Sequence, residues 1–353
     1  MKQTFLLFIL IAIACTSKKD WKLELLSNVE LNEKSTLTGV FIADGRNDGV
    51  NRLYVTTRFD GVLEFDKDGE SYVYVNLPGT EGKAMPFLFA QYKDSIKNFL
   101  ISHSFFFSYQ DNRWLSKNIK PPMIGSLYAM SGKARNDNKT RIYVGGYNGL
   151  TEYTWSDTGW IYKIIDSTIE IGGFDIGDVK GDGVKRIYCP VRHANEVIRE
   201  YTFTGENFVC NKLEISKKDY RTIVIGDVRN DCKNRIYVST DYEIKKHIYE
   251  INFENNKWVM TDITPNGPDK ARYAMKIGKA RNDDKNYLYV SEAKGFPMTE
   301  YEWNGSSFVA NKIDAYSGAT TPFCIGKVFN ETKNSIYQVN LNRKQLFKLT
   351  YKK

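Results

Sequence analysis

The chain has 353 residues, 42% hydrophobic and 26% charged, with a formal net charge of +8 from 50 Lys and Arg against 42 Asp and Glu. That composition excludes an intrinsically disordered or fibrous protein. The basic residues are interspersed with carboxylates rather than gathered in blocks, which excludes a nucleic-acid-binding stripe and leaves a mild preference for anionic partners.

Met1-Lys2 precedes an apolar run from Phe5 to Ala14, and Cys15 follows. A single charge, a short apolar core and small residues before the break describe an export signal, too short to span a membrane as a helix. Ala12-Ile13-Ala14-Cys15 resembles the lipobox of bacterial lipoproteins, with Ala12 where that family usually has Leu. The resemblance implies that Cys15 is lipidated and becomes the new N-terminus. Residues 1–14 are then a lipoprotein signal peptide, 15–19 a tether, and 20–353 a single domain. The expected address is the cell-envelope membrane, on the exported side, reached by the lipid anchor alone.

Beyond this segment one unit recurs. Its clearest copy is Ile225 to Thr240, read I-G-D-V-R-N-D-C-K-N-R-I-Y-V-S-T. Copies aligned on the Asn-Asp pair place the Asn-equivalent position at 47, 93, 136, 181, 230, 282 and 330, with spacings of 46, 43, 45, 49, 52 and 48. The copy near 93 is eroded, with Lys93-Asp94 in place of Asn-Asp. A period in this range marks a repeat architecture.

Each unit reads as four short strands. In the fifth copy, Thr222 to Gly226 is the inner strand, Asp227 to Asn234 a tight turn, and Arg235 to Val238 the second strand. His247 to Phe253 is the third strand, Glu254-Asn255-Asn256 a hairpin turn, and Lys257 to Ile263 the fourth. The second strands are nearly continuous apolar runs, as expected when both faces of a sheet are covered. The last unit ends at Tyr351 without a fourth strand, while Asp20-Trp21-Lys22-Leu23-Glu24-Leu25-Leu26 carries the fourth-strand pattern of Lys257-Trp258-Val259. The sequence therefore predicts an all-β fold, a seven-bladed β-propeller of four-stranded antiparallel blades. The blades fall at approximately 38–77, 85–119, 126–165, 171–213, 221–263, 272–313 and 321–351, and an N-terminal strand at 20–27 closes the ring. Closure removes two sheet edges that would otherwise be open to aggregation.

The run G-D-V-K-G-D-G-V-K-R at Gly177 to Arg186 resembles the FG-GAP or VCBS-type repeat of propeller proteins. In that family a D-x-D-G-D-G loop holds calcium through several carboxylates. Here Lys180 stands at the second Asp position, and Arg46, Arg135, Arg229 and Arg281 hold it in other copies. A cation in place of a ligand argues against a hard metal, so no metal is expected; Asp178 and Asp182 are the best-placed ligands if one binds. The expected role of the motif is structural: Asn-Asp sets the turn, and the Arg reaches a carboxylate or carbonyl of its own or the next blade. The four cysteines after Cys15, at 189, 210, 232 and 324, are expected to be mostly free, buried thiols. Cys189 and Cys210 would lie two strand steps apart, about 9–10 Å, too far for a disulfide.

The 2–3 and 4–1 loops share one face of such a ring, and the repeated turns lie on the other. The 2–3 loops differ most among the copies and supply the candidate binding residues Arg58, Phe59, Tyr147, Arg192, His193, Tyr242, Phe296 and Arg343. Aromatic and Arg side chains on variable loops over a rigid frame suit a binding face. His193, between Arg192 and Glu196, is the candidate acid–base residue; His103 and His247 have no comparable sequence neighbours. No nucleophile elbow, zinc-protease, phosphate-loop or dinucleotide motif occurs, and no cofactor is expected. The expected function is a membrane-anchored exported binding or scaffold protein, monomeric, presenting its loop face to a protein or glycan of the envelope. The alternative is a polysaccharide lyase or hydrolase with its site over the central channel.

Overall fold

The computed structural model describes residues 20–80, 90–93, 98–102, 105–119, 126–156, 159–191, 197–240, 247–264, 272–292, 298–313, 322–341 and 343–352. They form 28 strands in seven four-stranded antiparallel sheets. Six sheets take consecutive strands, as in Tyr220–Gly226, Arg235–Thr240, Ile248–Glu254 and Lys257–Asp262. The seventh joins Phe323–Gly326, Ser335–Asn340 and Gln345–Tyr351 to the N-terminal strand Trp21–Asn28. Trp21 pairs with Tyr351 and Asn28 with Gln345, so the closing strand runs antiparallel to the last one. Among the described residues no helix is long and apolar enough to cross a membrane.

The repeated turn explains the period. Asn47, Asn136, Asn230, Asn282 and Asn330 all take φ between 58 and 63°, and Gly181 takes 70° at the same place. Asn tolerates this left-handed backbone and Gly adopts it freely. The following Asp binds the Arg four residues on, at 2.6–2.8 Å for Asp48–Arg52, Asp137–Arg141, Asp182–Arg186 and Asp231–Arg235. The Asn side chain also ties one blade to the next. Asn230 accepts from the backbone N–H of Asn286 at 2.7 Å and donates to its carbonyl at 3.2 Å. Asn136 does the same with Lys185, and Asn282 with Asn334.

Each blade packs its neighbour through large buried side chains of the second and third strands, such as Tyr188, Tyr237 and Tyr301. At the axis, an inner-strand Gly meets an Ile of the following blade. A Cβ on Gly177 would lie 2.5 Å from Ile225, and one on Gly226 would lie 2.9 Å from Ile277. Only glycine permits that approach. All four described cysteines are free; Cys189 is buried and Cys324 is half-buried. Cys210 lies on an outer strand and Cys232 at a left-handed turn position with φ 65°, and both are exposed.

Candidate functional site

In five blades the carboxylate of the third strand is consumed by the frame. Glu250 is fully buried and receives Arg229, with Nε at 3.0 Å, and the Tyr237 hydroxyl at 2.9 Å. Glu64, Glu152 and Glu300 receive Arg46, Arg135 and Arg281 in the same way, and Glu200 receives Lys180. The same cations lie over a ring of the next blade. Arg229 sits 4.1 Å from the Trp303 centroid, Arg135 4.6 Å from Phe203, Arg46 5.0 Å from Tyr109 and Arg281 5.5 Å from Tyr351. One side chain thus neutralises its own blade's buried charge and staples the next blade by a cation–π contact.

The two weighed metal ligands are engaged in the turn. Asp178 accepts backbone N–H groups from Gly181 and Gly183, each at 2.8 Å. Both Asp182 oxygens bond Arg186, which holds that carboxyl down at about 2. Among the described residues, no three His, Cys, Asp or Glu side chains gather as a metal cage.

Of the loop-face candidates, Arg192, His193, Tyr242 and Phe296 lie outside the described residues. Arg58 lies over the Phe59 ring at 5.2 Å, and the Phe59 N–H bonds Ser35 Oγ. Asp60 accepts from the Asn32 N–H, and Lys344 Nζ donates to the Asn32 carbonyl at 2.9 Å, beside Arg343. Segment 29–36 therefore gathers Arg58, Phe59 and Arg343 into one sector, on the first and last blades. Tyr147 is 56% exposed and sits on the third blade, apart from them. His247 differs from the sequence expectation. Its Nδ1 lies 2.6 Å from Asp262 Oδ2 and its ring stacks on Tyr249. The partner is 15 residues away but adjacent across the hairpin, so a cross-strand reading of the unit would have found it.

A second cluster lies at the ring axis. Asp175, Lys276 and Cys324 hold equivalent positions on the inner strands of the fourth, sixth and seventh blades, two residues before the axial Gly177, Gly278 and Gly326. Asp175 accepts the N–H of Ile176 at 2.7 Å and that of Ile225 in the next blade at 2.8 Å. Burial still pushes its carboxyl up to about 6, opposed by those amides and by Lys276. Tyr128, ahead of Asp175 and Cys324, favours the charged Lys276 ammonium against desolvation. Burial drives the Cys324 thiol upward, with Lys276 opposing. Asp175 and Lys276, both half-buried residues, hold the same level of the inner strands as Phe41, Met130 and Val224.

Asp175 has a pH signature. An acid whose folded pKa is about 6 against a usual 3.8 favours the protonated fold, so stability falls as pH rises between those values. Replacing Lys276 with Met removes the countercharge and extends that loss to higher pH. The substitution is expected to cost about 1 kcal/mol more at pH 8 than at pH 5, where Asp175 is largely neutral. Urea midpoints at the two pH values check this, and a pH-independent difference would separate Lys276 from Asp175.

On the turn face, a cleft of about 680 Å³ is lined by Asp44, Gln91, Ser131, Lys133, Thr140 and Lys185 among others. It lies where the ring departs from its own pattern. Ser131 holds the position of the axial Ile225 and Ile277, and Thr140 and Lys185 those of the bridging Asn234 and Asn286, departures visible when the copies are aligned. Gln91 also holds the axial position, because it pairs with Leu100 as Ile225 pairs with Ile236. This corrects the sequence alignment, since Lys93 then takes the place of Asp227, three residues before the Asn position expected of it.

No protein-family model matches the chain, and no curated protein is significantly similar to it. Solved structures match over almost the whole length. The Cps50 (Swd1) β-propeller domain of Myceliophteria thermophila has a TM-score of 0.61 at 10% identity, covering 93% of this chain and 99% of that one. BBS1N in complex with ARL6DN gives 0.61 at 12% identity, covering 94% and 97%. YCF48 bound to D1 peptide gives 0.60 at 8% identity, covering 94% and 95%. The likeness is one of fold alone. It establishes the propeller architecture.

Proposed function

We propose that this chain is an exported, lipid-anchored binding or scaffold protein whose loop face receives a protein of the cell envelope. The observation that carries the reading is the division of side chains between frame and loops. The repeated carboxylates and cations of the blades are spent on each other, as in Arg229–Glu250 and Arg186–Asp182. The loop ends carry Arg58, Phe59, Arg343 and the exposed Tyr147 over a rigid ring. Arg and aromatic anchors of this kind dominate protein recognition. Two propellers of similar fold are known with ARL6DN and with D1 peptide, which favours a protein over a glycan. The export signal and Cys15 supply the address.

A photo-crosslinking residue placed at Phe59 or Tyr147 in cells tests the assignment. A discrete adduct is expected from these sites and not from Lys285 on the turn face. Equal labelling from both faces would remove the loop face from the proposal. The alternative, a polysaccharide lyase or hydrolase, draws on Asp175, Lys276 and Tyr128 converging at the axis. It requires depolymerisation of an envelope polysaccharide that Lys276→Met abolishes. Asp175 already accepts two backbone N–H groups, which favours a structural role.

A further inference from the structure

We infer that the turn face looks toward the membrane, and that the loop face is held away from it, available only to a partner in the aqueous compartment. The inference rests on the lipid-anchored reading above. Its geometric basis is the place where the domain's chain begins. The closing strand Trp21–Asn28 is the outer strand of its blade and runs from one face of the ring to the other.

Its first residues lie on the turn face. The Asp20 carbonyl accepts the Lys352 N–H at 2.8 Å, and the Trp21 ring lies 5.2 Å from that of Tyr351. Arg281, which belongs to the repeated turn of the sixth blade, lies over the same Tyr351 ring. The last residues of the strand lie on the loop face. Asn28 pairs with Gln345, and Lys344 bonds the carbonyls of Leu31 and Asn32, next to Asp60. Asp20 and the Arg58–Phe59 sector are therefore on opposite faces.

Lengths decide the rest. Residues 15–19 span about 17 Å at most when fully extended. The eight-residue closing strand separates the two faces by about 27 Å. To lay the loop face on the bilayer, the tether would have to reach from Asp20 past the whole thickness of the blade, and it is too short by about 10 Å. Charge does not set this orientation. Exposed Lys133, Lys139 and Lys185 share the turn face with exposed Asp284 and Glu206, so the face is mixed in sign. The constraint is the short leash.

The test uses the full lipidated chain reconstituted in phosphatidylcholine–phosphatidylglycerol vesicles carrying a headgroup-bound quencher. A fluorophore is placed by Lys285→Cys on the turn face or by Phe59→Cys on the loop face, with exposed Cys210 and Cys232 replaced by Ser and Asn and half-buried Cys324 by Ala. Quenching is expected to be about twofold or more stronger at position 285. Equal or stronger quenching at position 59 overturns the inference. A second variant inserts 15 residues between Ser17 and Lys18, raising the tether contour to about 65–70 Å. This is expected to shrink the contrast between the two sites, and an unchanged contrast would mean the leash does not set the orientation. Cys15→Ala separates the two readings. If that chain stays on the vesicles, the anchor fails and the orientation with it. If it leaves while position 59 is quenched in the lipidated chain, the orientation alone fails.

Discussion

A chain lacking residues 20–28 is expected to lose its cooperative unfolding transition or to persist only as an oligomer. The closing strand pairs with Gln345–Tyr351 along its length, and the Val29 N–H bonds the Lys344 carbonyl at 2.8 Å. Trp21 packs on Tyr351 and Tyr289, and Leu26 joins the cluster that contains Leu346 and Val339. Removing two large apolar side chains costs about 1.5–3 kcal/mol each. Losing several ladder bonds adds about 1 kcal/mol apiece. The sum approaches 10 kcal/mol, comparable with the whole stability of a typical domain. The third strand of the last blade would also become an open, apolar edge, which invites pairing with another chain. Urea titration with size-exclusion chromatography checks the outcome, and a synthetic peptide of residues 20–28 added in trans is expected to restore part of the transition. A monomeric truncated chain with the parent's midpoint would show that closure contributes nothing. Trp21→Ala, a milder variant, is expected to cost about 3 kcal/mol.

That the ring closes this way was legible in the sequence because the signal is periodic. The Asn-Asp turn recurs every 43 to 52 residues, and a missing fourth strand at one end has its counterpart at the other. The turn chemistry was legible too, since few residues accept φ near 60°. The destination of the repeated Arg was harder to read. Glu64, Glu152, Glu200, Glu250 and Glu300 look like the solvent-facing half of an alternating strand. In a stacked blade both faces of that strand are covered, so an alternating polar residue is buried and must be paired. Their recurrence 17 to 21 residues after Arg46, Arg135, Lys180, Arg229 and Arg281 was the available signal. The axial cluster had no local signal at all. Asp175 and Lys276 are separated by 101 positions in the chain, and only the closure of the ring brings them near one another. The loop face is legible as composition but not as geometry, because loop conformation depends on side chains of neighbouring blades.

Glu250→Ala is expected to be the most damaging single substitution in the frame, at about 3 kcal/mol, because it leaves the half-buried Arg229 without its carboxylate while Arg235 keeps Asp231. Glu250 has no exposed surface, and three groups converge on it. Arg229 binds it in a fork, the Tyr237 hydroxyl donates at 2.9 Å, and Arg235 Nε lies 3.9 Å away. Glu250→Gln keeps the volume and an acceptor and loses only the charge, so it is expected to cost less. The decisive variant is the double substitution Glu250→Met with Arg229→Met. Removing both charges replaces a desolvated ion pair by apolar volume, which is often close to neutral. The double variant is therefore expected to be more stable than Glu250→Met alone, with a coupling of about 2 kcal/mol or more in the cycle of Glu250→Met and Arg229→Met. Part of the loss will remain, because Arg229 also lies 4.1 Å from the Trp303 centroid of the next blade. That residue separates two roles of one side chain. If the two single substitutions add without coupling, Arg229 holds the blades together chiefly through Trp303. If they couple strongly, the buried carboxylate is what requires an Arg there, and the contact between blades follows from where that Arg must sit.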